Sequence, residues 1–335
     1  DTQSRTRFVR RIARGIKDAC GKNFIIGLKM PADEGVEGGV DPDEAEQITR
    51  LLSSTGNFDY FSYGQGNFSL SLENHVPDLY FEEGHFIDLH KRMREAANGV
   101  PVMALGRIGT PELAEEIIEN GNGDLVGMSR ALISDPALPK KAQQGDIKNI
   151  RPCVFDNFAW GEIHLGKPLT EHHNPYLGKE GEAFPKLLPA EYAKRVLVLG
   201  GGPSGLEAAW VAAARGHGVT LFCGSPHLGG SLMTESTLPG RSEMAKIINY
   251  QIHQGNTYGV EYVLSHRASS SDVIDFGADE VVLATGSVQR VPKGLNNNEQ
   301  VVSAREFVRN SNQYTGEKAV LIDEDFSAAT YGVAD

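Results

Sequence analysis

The sequence predicts an α/β protein of two domains, each a parallel sheet flanked by helices. Three observations predict it. Over the first 145 residues, short apolar runs alternate with segments of 3.6-residue period, the pattern of successive βα units. At Val196–Leu199 an apolar strand runs into Gly200-Gly201-Gly202-Pro203-Ser204-Gly205 and then an Ala-rich helix, the strand–turn–helix of a Rossmann-like unit. The chain has 335 residues and is 40% hydrophobic, enough for two cores.

The first domain, 1–145, reads in order as follows. Helical periodicity covers about 5–19, 43–54, 84–98 and 111–120, the last opened by a capping Thr110 with Pro111 in the first turn. Between these helices, 24–30, 58–63, 101–106 and 124–129 are the strands. Four βα units make half of a (β/α)8 barrel or a small open sheet. Half a barrel is favoured because the chain opens on a helix and because polar residues gather at the C-terminal strand ends: Lys29, Gly64–Asn67, Gly106-Arg107 and Ser129-Arg130. In such barrels that end carries the chemistry, and the loops after the last two strands commonly hold a phosphate. Gly106-Arg107 and Ser129-Arg130 suit phosphate oxygens, or they cap the rim through ion pairs. The loop from Gly64 to His85 is long for a βα connection, and such loops are usually functional.

The linker, 146–193, holds Cys153 and a group of His164, Glu171, His172 and His173. The adjacent histidines lack the i, i+4 spacing of a metal pair, so this stretch reads as a solvated loop. The second domain, 194–316, continues after the glycine turn with the strand Val219–Cys223, Leu228-Gly229-Gly230 and the strand that ends in Ala284-Thr285-Gly286. Gly200 permits the tight turn, Gly202 the close approach of a pyrophosphate, and Gly205 close helix–strand packing. The last residue of the second strand, normally the acid that binds a ribose, is Cys223. Ser303, with Glu306 three residues on, caps a connecting helix, and 317–335 begins a further domain with a strand at 319–323.

Composition excludes several classes. The net charge is −12, with basic residues scattered, which disfavours nucleic acid and anionic membrane surfaces. Cys20, Cys153 and Cys223 show no disulfide framework, which points to a reducing, cytoplasmic setting. No apolar run approaches the ~18 residues of a membrane helix, and the opening residues show no signal peptide.

Leu28–Glu34, Val102–Ile108, Asp124–Pro136 and Ile150–Cys153 resemble the later strands of the old yellow enzyme barrel, in its long branch with trimethylamine dehydrogenase, 2,4-dienoyl-CoA reductase and the amine demethylases. The resemblance runs through essentially the whole chain. It implies the C-terminal half of an FMN-binding TIM barrel followed by a Rossmann-like FAD/NAD(P)-binding domain, with the first four barrel strands before Asp1 and the chain stopping inside the next nucleotide-binding domain. It implies that Gly106, Arg107, Met128, Ser129 and Arg130 hold FMN through its phosphate and that Lys29 lies beside the flavin pyrimidine. It also implies FAD or ADP at Gly200, Gly202, Ser204, Gly205, Cys223, Gly229, Gly230, Ala284, Thr285 and Gly286.

The family's principal catalytic residues would lie upstream, leaving Asn74 and His75 as candidates to bind a substrate carboxylate or orient an amine, unless the loop's polar side chains serve only to hold it. Tyr63, Phe68, Tyr80 and Phe81 are candidate cation–π faces. The four cysteines that hold a 4Fe–4S cluster in relatives correspond to Cys153, Asp156, Trp160 and Glu171. The cluster is therefore expected to be absent, with Trp160 in its space. The implied activity is oxidative N-demethylation of a small methylated amine such as dimethylglycine, with electrons passed to a partner protein and the chain in a homo- or hetero-oligomer. The alternatives are an NAD(P)H-dependent enoate or dienoyl-CoA reductase and a non-catalytic scaffold subunit.

Overall fold

The structure is a computed structural model that describes residues 1–179, 187–288, 294, 301–314, 318, 320–322 and 333. Packing divides the chain into two units, Asp1–Asn174 and Pro175–Asp335. Residues 146–174 of the expected linker therefore belong to the first unit.

The first unit opens with α1 (Thr2–Cys20), where the Asp1 carboxylate accepts the Ser4 N–H at 2.7 Å. There follow β1 (Gly27–Asp33), α2 (Pro42–Ser53), β2 (Tyr60–Gln65), the single turn α3 (Leu72–His75), α4 (Ile87–Ala96) and β3 (Val102–Leu105). Then come α5 (Pro111–Glu119), β4 (Leu125–Gly127), α6 (Arg130–Ser134), α7 (Leu138–Gln143) and α8 (Phe158–His164). The strands are parallel and ordered β1-β2-β3-β4. Thr110 caps α5 as expected, accepting the Leu113 N–H at 3.3 Å.

β1 starts three residues later than its apolar run. Phe24 and Ile25 are 51% and 71% exposed, because the chain there is tied to the end of α1. Lys17 Nζ donates to the Phe24 carbonyl and the Asp59 carboxylate, and that same carboxylate accepts the Ile26 N–H.

Register fixes the two faces of this sheet. Leu28 pairs with Phe61, Met30 with Tyr63, and Phe61 with Val102. With Ala32, these side chains meet Ala13, Ala45, Leu52 and Met93 of the helices in one core. Burying each large side chain contributes roughly 1.5–3 kcal/mol. Tyr63 thus belongs to the core, fully buried with its hydroxyl 2.8 Å from Thr49 Oγ1, and is no cation–π face for a ligand. The opposite face carries Lys29, Ser62, Met103 and Leu125 in register. Lys29 is exposed and Leu125 is 42% exposed. His90 of α4 is buried, with Nε2 2.6 Å from the Leu105 carbonyl at the C-terminal end of β3. Burial pushes this imidazole down to about 4, against the pull of that hydrogen bond.

The second unit contains β5 (Arg195–Leu199), α9 (Pro203–Ala214), β6 (Gly218–Phe222), α10 (Gly230–Glu235) and α11 (Ala245–Thr257). It continues with β7 (Glu261–Val263), α12 (Ser270–Phe276), β8 (Glu280–Leu283) and α13 (Ala304–Arg309). All pairings are parallel in the order β7-β6-β5-β8, which puts the first strand beside the second and the fourth, as in a Rossmann half. Val196, Val198, Leu221, Leu206, Ala209 and Ile248 form its core. Ser303 caps α13 by accepting the Glu306 N–H at 3.1 Å.

Of the strand expected at 319–323, Ala319 and Asp323 lie outside the described residues, and Val320–Ile322 form no strand. The rest of 317–335 lies outside them too, except 318 and 333. Among the described residues no helix is long and apolar enough to cross a membrane.

Candidate functional site

Two sites emerge, one in each unit. In the first, β3 is followed by Gly106 (φ 107°) and Arg107 (φ 53°), and β4 by Met128, Ser129 and Arg130. Both guanidinium groups lie over the ring of Phe155, at 5.2 Å for Arg107 and 4.7 Å for Arg130. Arg107 is 3% exposed. Arg130 donates through Nη1 to the Pro77 carbonyl at 2.5 Å and to Asn157 Oδ1 at 2.7 Å, both neutral oxygens. Burial holds its guanidinium below the usual range, and Arg107 adds to that effect. Ser129 is exposed, and its side chain does not cap the short helix that follows.

Phe155 (φ 55°) and Asn157 (φ 58°) share the left-handed conformation of Arg107. Three non-glycine residues in that region at one rim are held there against local strain, a pattern concentrated at functional sites. Two guanidinium cations, beside a glycine and an exposed hydroxyl, fit a phosphate monoester.

Lys29 stands on the open face of the same sheet, its Cε 3.6 Å from the place a Cβ on Gly64 would occupy. Past Gln65, the long loop is held by its own side chains. Asn67 Oδ1 accepts the N–H groups of Ser69 and Leu70, each at 2.9 Å, and Ser71 Oγ donates to the Glu34 carbonyl. His75 Nδ1 is 3.1 Å from the Gln65 carbonyl, to which that nitrogen donates. Gly66 is what lets this turn close, because a Cβ there would lie 2.3 Å from the Ser71 carbonyl and 2.6 Å from the His75 nitrogen. Asn74 sits in the same turn, half-buried beside Gly35. Phe68, 64% exposed, packs its ring 4.8 Å from His75 and 5.5 Å from Trp160. Tyr80 is exposed, and Phe81 packs edge-on to His85.

The expected cluster positions do not assemble as ligands. Trp160, expected in the cluster's space, finds its ring partners in Phe68 and His164. Cys153 is buried with Ala131, Leu138 and Phe155, and burial pushes its thiol up to about 11. The Asp156 carboxylate is hydrogen-bonded to His172 Nδ1. Burial raises its pKa, but that contact prevails and keeps it below the usual range. Glu171 accepts the N–H groups of His173 and Asn174, both at 2.8 Å, while burial raises its own carboxyl. A protonated thiol, an indole and two engaged carboxylates do not fit a four-iron cluster. Among the described residues, no group of three or more His, Cys, Asp or Glu side chains is placed to hold a metal ion.

The stretch expected as a solvated loop is exposed over 163–170 and at His172, but His173 is packed. His173 is 7% exposed and is pushed down to about 3, by burial first and then by Arg151, and His172 stacks on Phe158 at 3.8 Å. The adjacent pair alternates inward and outward, which the helical metal spacing could not reveal.

In the second unit the glycine turn is built against its neighbours. A Cβ on Gly205 would lie 1.9 Å from the Gly200 carbonyl, and one on Gly200 2.1 Å from the Ala284 carbonyl. Gly229 N–H donates to the Gly201 carbonyl at 2.7 Å, bringing Gly230 opposite Gly202. Ser204 and Gly230 are exposed at the mouth of this cradle, while Thr285 and Gly286 (φ 77°) are exposed just beyond β8. The α9 N-terminus presents N–H groups with no partner inside the helix, an arrangement that favours anions. The cradle fits a pyrophosphate. Sequence reasoning missed Phe155 and Asn157, whose only signal is an Asn that tolerates the left-handed region just before a helix.

Comparison with known proteins agrees with this division. Residues 1–149 match the NADH:flavin oxidoreductase / NADH oxidase family, and residues 194–322 match the pyridine nucleotide-disulphide oxidoreductases. An NADH oxidase of Thermoanaerobacter brockii is 34% identical over 87% of this chain and 44% of its own length. An N,N-dimethylglycine/sarcosine dehydrogenase of Chromohalobacter salexigens is 33% identical over 85% of this chain and 41% of its own. A solved 2-naphthoyl-CoA reductase complex superposes with a TM-score of 0.85 at 27% identity, covering 92% of this chain and 46% of that one. The chain thus spans less than half the length of these relatives.

Proposed function

The chain belongs to the NADH:flavin oxidoreductase / NADH oxidase family, and from that premise we propose that it forms part of an FMN-dependent dehydrogenase that demethylates a small methylated amine of the dimethylglycine class. The observation that carries the flavin reading is the pair of guanidinium groups over Phe155, at the ends of adjacent strands. In this reading Arg107 and Arg130 hold the FMN phosphate, with Gly106, Met128 and Ser129 beside it. Lys29, on the open face of the sheet, would supply a fixed positive charge that favours the negative charge of a reduced flavin.

FMN held there would supply a hydride acceptor for an N-methyl group, and water would hydrolyse the resulting iminium to formaldehyde and the demethylated amine. The exposed ring of Phe68, backed by His75 and Trp160, offers a face to a methylammonium group. His75 Nε2 accepts the proton of the ammonium nitrogen, because Nδ1 is fixed by the Gln65 carbonyl. Asn74 donates to a substrate carboxylate. Since the cluster positions do not fit an iron–sulfur centre, electrons leave to a separate protein.

A second reading, reduction of an enoyl or aryl thioester by NAD(P)H, is favoured by the likeness to the 2-naphthoyl-CoA reductase. The deciding experiment uses the purified flavoprotein under anaerobic conditions. Bleaching of the flavin by dimethylglycine, with formaldehyde released, is the expected result. Bleaching by NADH or NADPH alone, with none by methylated amines, would overturn the demethylase in favour of the reductase.

A further inference from the structure

Asn157 is the residue just before α8, a place where an asparagine side chain normally accepts an N–H of the first turn. It makes no such cap here. Asp156 fills that role, its carboxylate accepting the Phe158 N–H at 3.1 Å while also hydrogen-bonded to His172. The Asn157 amide is left for other partners, and both of its ends are engaged. Oδ1 accepts from Arg130 Nη1 at 2.7 Å, and Nδ2 donates to the Val76 carbonyl at 2.8 Å. These bonds are made from the left-handed region, at φ 58° and ψ 17°, which costs a non-glycine residue free energy. The cap is forgone and the strain is held in favour of one bridge.

The bridge ties a guanidinium of the rim to the long loop after β2. Arg130 Nη1 also donates to the Pro77 carbonyl at 2.5 Å, so guanidinium, amide and the Val76-Pro77 stretch close a ring of hydrogen bonds. That stretch directly follows Asn74 and His75. Arg107 fastens the far end of the same loop, its carbonyl accepting the Gly84 N–H at 3.1 Å. Both bonds from Arg130 use Nη1, which leaves Nε and Nη2 of its fork for a ligand. An amide oxygen orients the guanidinium without cancelling its charge, as an aspartate at the same place would.

We propose that Asn157 is a positioning residue that orients the Arg130 guanidinium toward a phosphate and fixes the loop carrying His75 to that same group. One amide then sets the geometry of the flavin site and of the loop beside it. The inference rests on the reading that this rim receives the FMN phosphate, and it adds a residue that acts through Arg130.

The test is equilibrium binding of FMN and of riboflavin to the purified protein freed of flavin, with amide hydrogen exchange followed over residues 66–77. Asn157→Gly removes the amide, and glycine adopts φ 58° without strain, so the fold is expected to hold. This variant is expected to bind FMN about tenfold more weakly, with riboflavin affinity unchanged, and to exchange faster over 66–77. Asn157→Asp keeps an acceptor for Arg130 but sets a carboxylate against the phosphate and removes the donor to Val76. Its FMN affinity is expected to fall further, again with riboflavin unchanged. A merely structural asparagine would weaken both flavins alike. Equal losses for FMN and riboflavin in Asn157→Gly, an FMN preference kept in full, or unchanged exchange over 66–77 would each overturn this inference and leave the FMN reading standing. Equal binding of the two flavins by the wild-type protein would overturn the FMN reading itself, and this inference with it.

Discussion

At the rim beyond β3 and β4 the positive field comes from side chains, Arg107 and Arg130 over Phe155, whereas the turn after β5 offers an anion only backbone N–H groups and space. The contrast separates two ways of building a candidate phosphate site. The first depends on rotamers held by a strained segment, Phe155 to Asn157, that comes from far along the chain. The second depends on the absence of Cβ atoms within one short turn and its partner at Gly229-Gly230. A side-chain site is adjusted by exchanging a residue, while a backbone site tolerates almost nothing at its tight positions.

The sharpest way to break this comparison is Gly205→Ala. Its Cβ would lie 1.9 Å from the Gly200 carbonyl, and backbone cannot yield as a flexible side chain does. A loss on the order of 3 kcal/mol is expected, read as early unfolding of the second unit in a denaturant titration. Gly202→Ala is the control. A Cβ there meets only Gly230 Cα, at 3.9 Å, so the fold should survive while nucleotide binding is lost.

The first unit should break by pH instead. His90 and His173 are pushed down to about 4 and about 3, so both stay neutral when folded at pH values where the unfolded chain takes up protons. Their folded pKa values lie below the unfolded value near 6.5, so the stability is intact above that pH and declines as pH falls toward 4. For His90 alone the loss approaches on the order of 3 kcal/mol. Urea melts of wild type and His90→Gln between pH 7 and 4.5 check it, the variant being expected to show the shallower decline.

A smaller effect follows from the fork geometry at the rim. Arg130→Lys keeps the charge but loses the planar pair of donors, and FMN retention is expected to fall roughly tenfold, followed by flavin fluorescence on dilution. Least of all, Thr110→Ala removes one cap and should lower the urea midpoint by the equivalent of about 1 kcal/mol, with an unchanged slope.

The same contrast explains what was legible in the sequence. The cradle could be read directly, because its requirements are local: a strand, glycines at fixed spacing and a helix. The α5 and α13 caps were legible for the same reason. At the rim, Gly106-Arg107 and Ser129-Arg130 were legible, but Phe155, Asn157 and Pro77 were not, because they reach Arg130 across long stretches of chain and leave no spacing to read. The start of β1 was misread since Lys17 and Asp59, not hydropathy, decide where the strand begins. Tyr63 was offered as a ligand face because an aromatic near a strand end looks alike whichever way it points, and only the register with Met30 turns it inward. The His172-His173 pair was taken for solvated loop because its partners Asp156, Phe158 and Arg151 are distant in sequence.

The central claim, that the first unit holds FMN by its phosphate through side-chain cations, is tested most directly by equilibrium binding of FMN and of riboflavin to the flavin-free protein. Riboflavin has the same ring and lacks only the phosphate. The account predicts that FMN quenches and binds about 100-fold more tightly, and that Arg107→Ala brings the two affinities close together. Equal binding of FMN and riboflavin by the wild-type protein would contradict it.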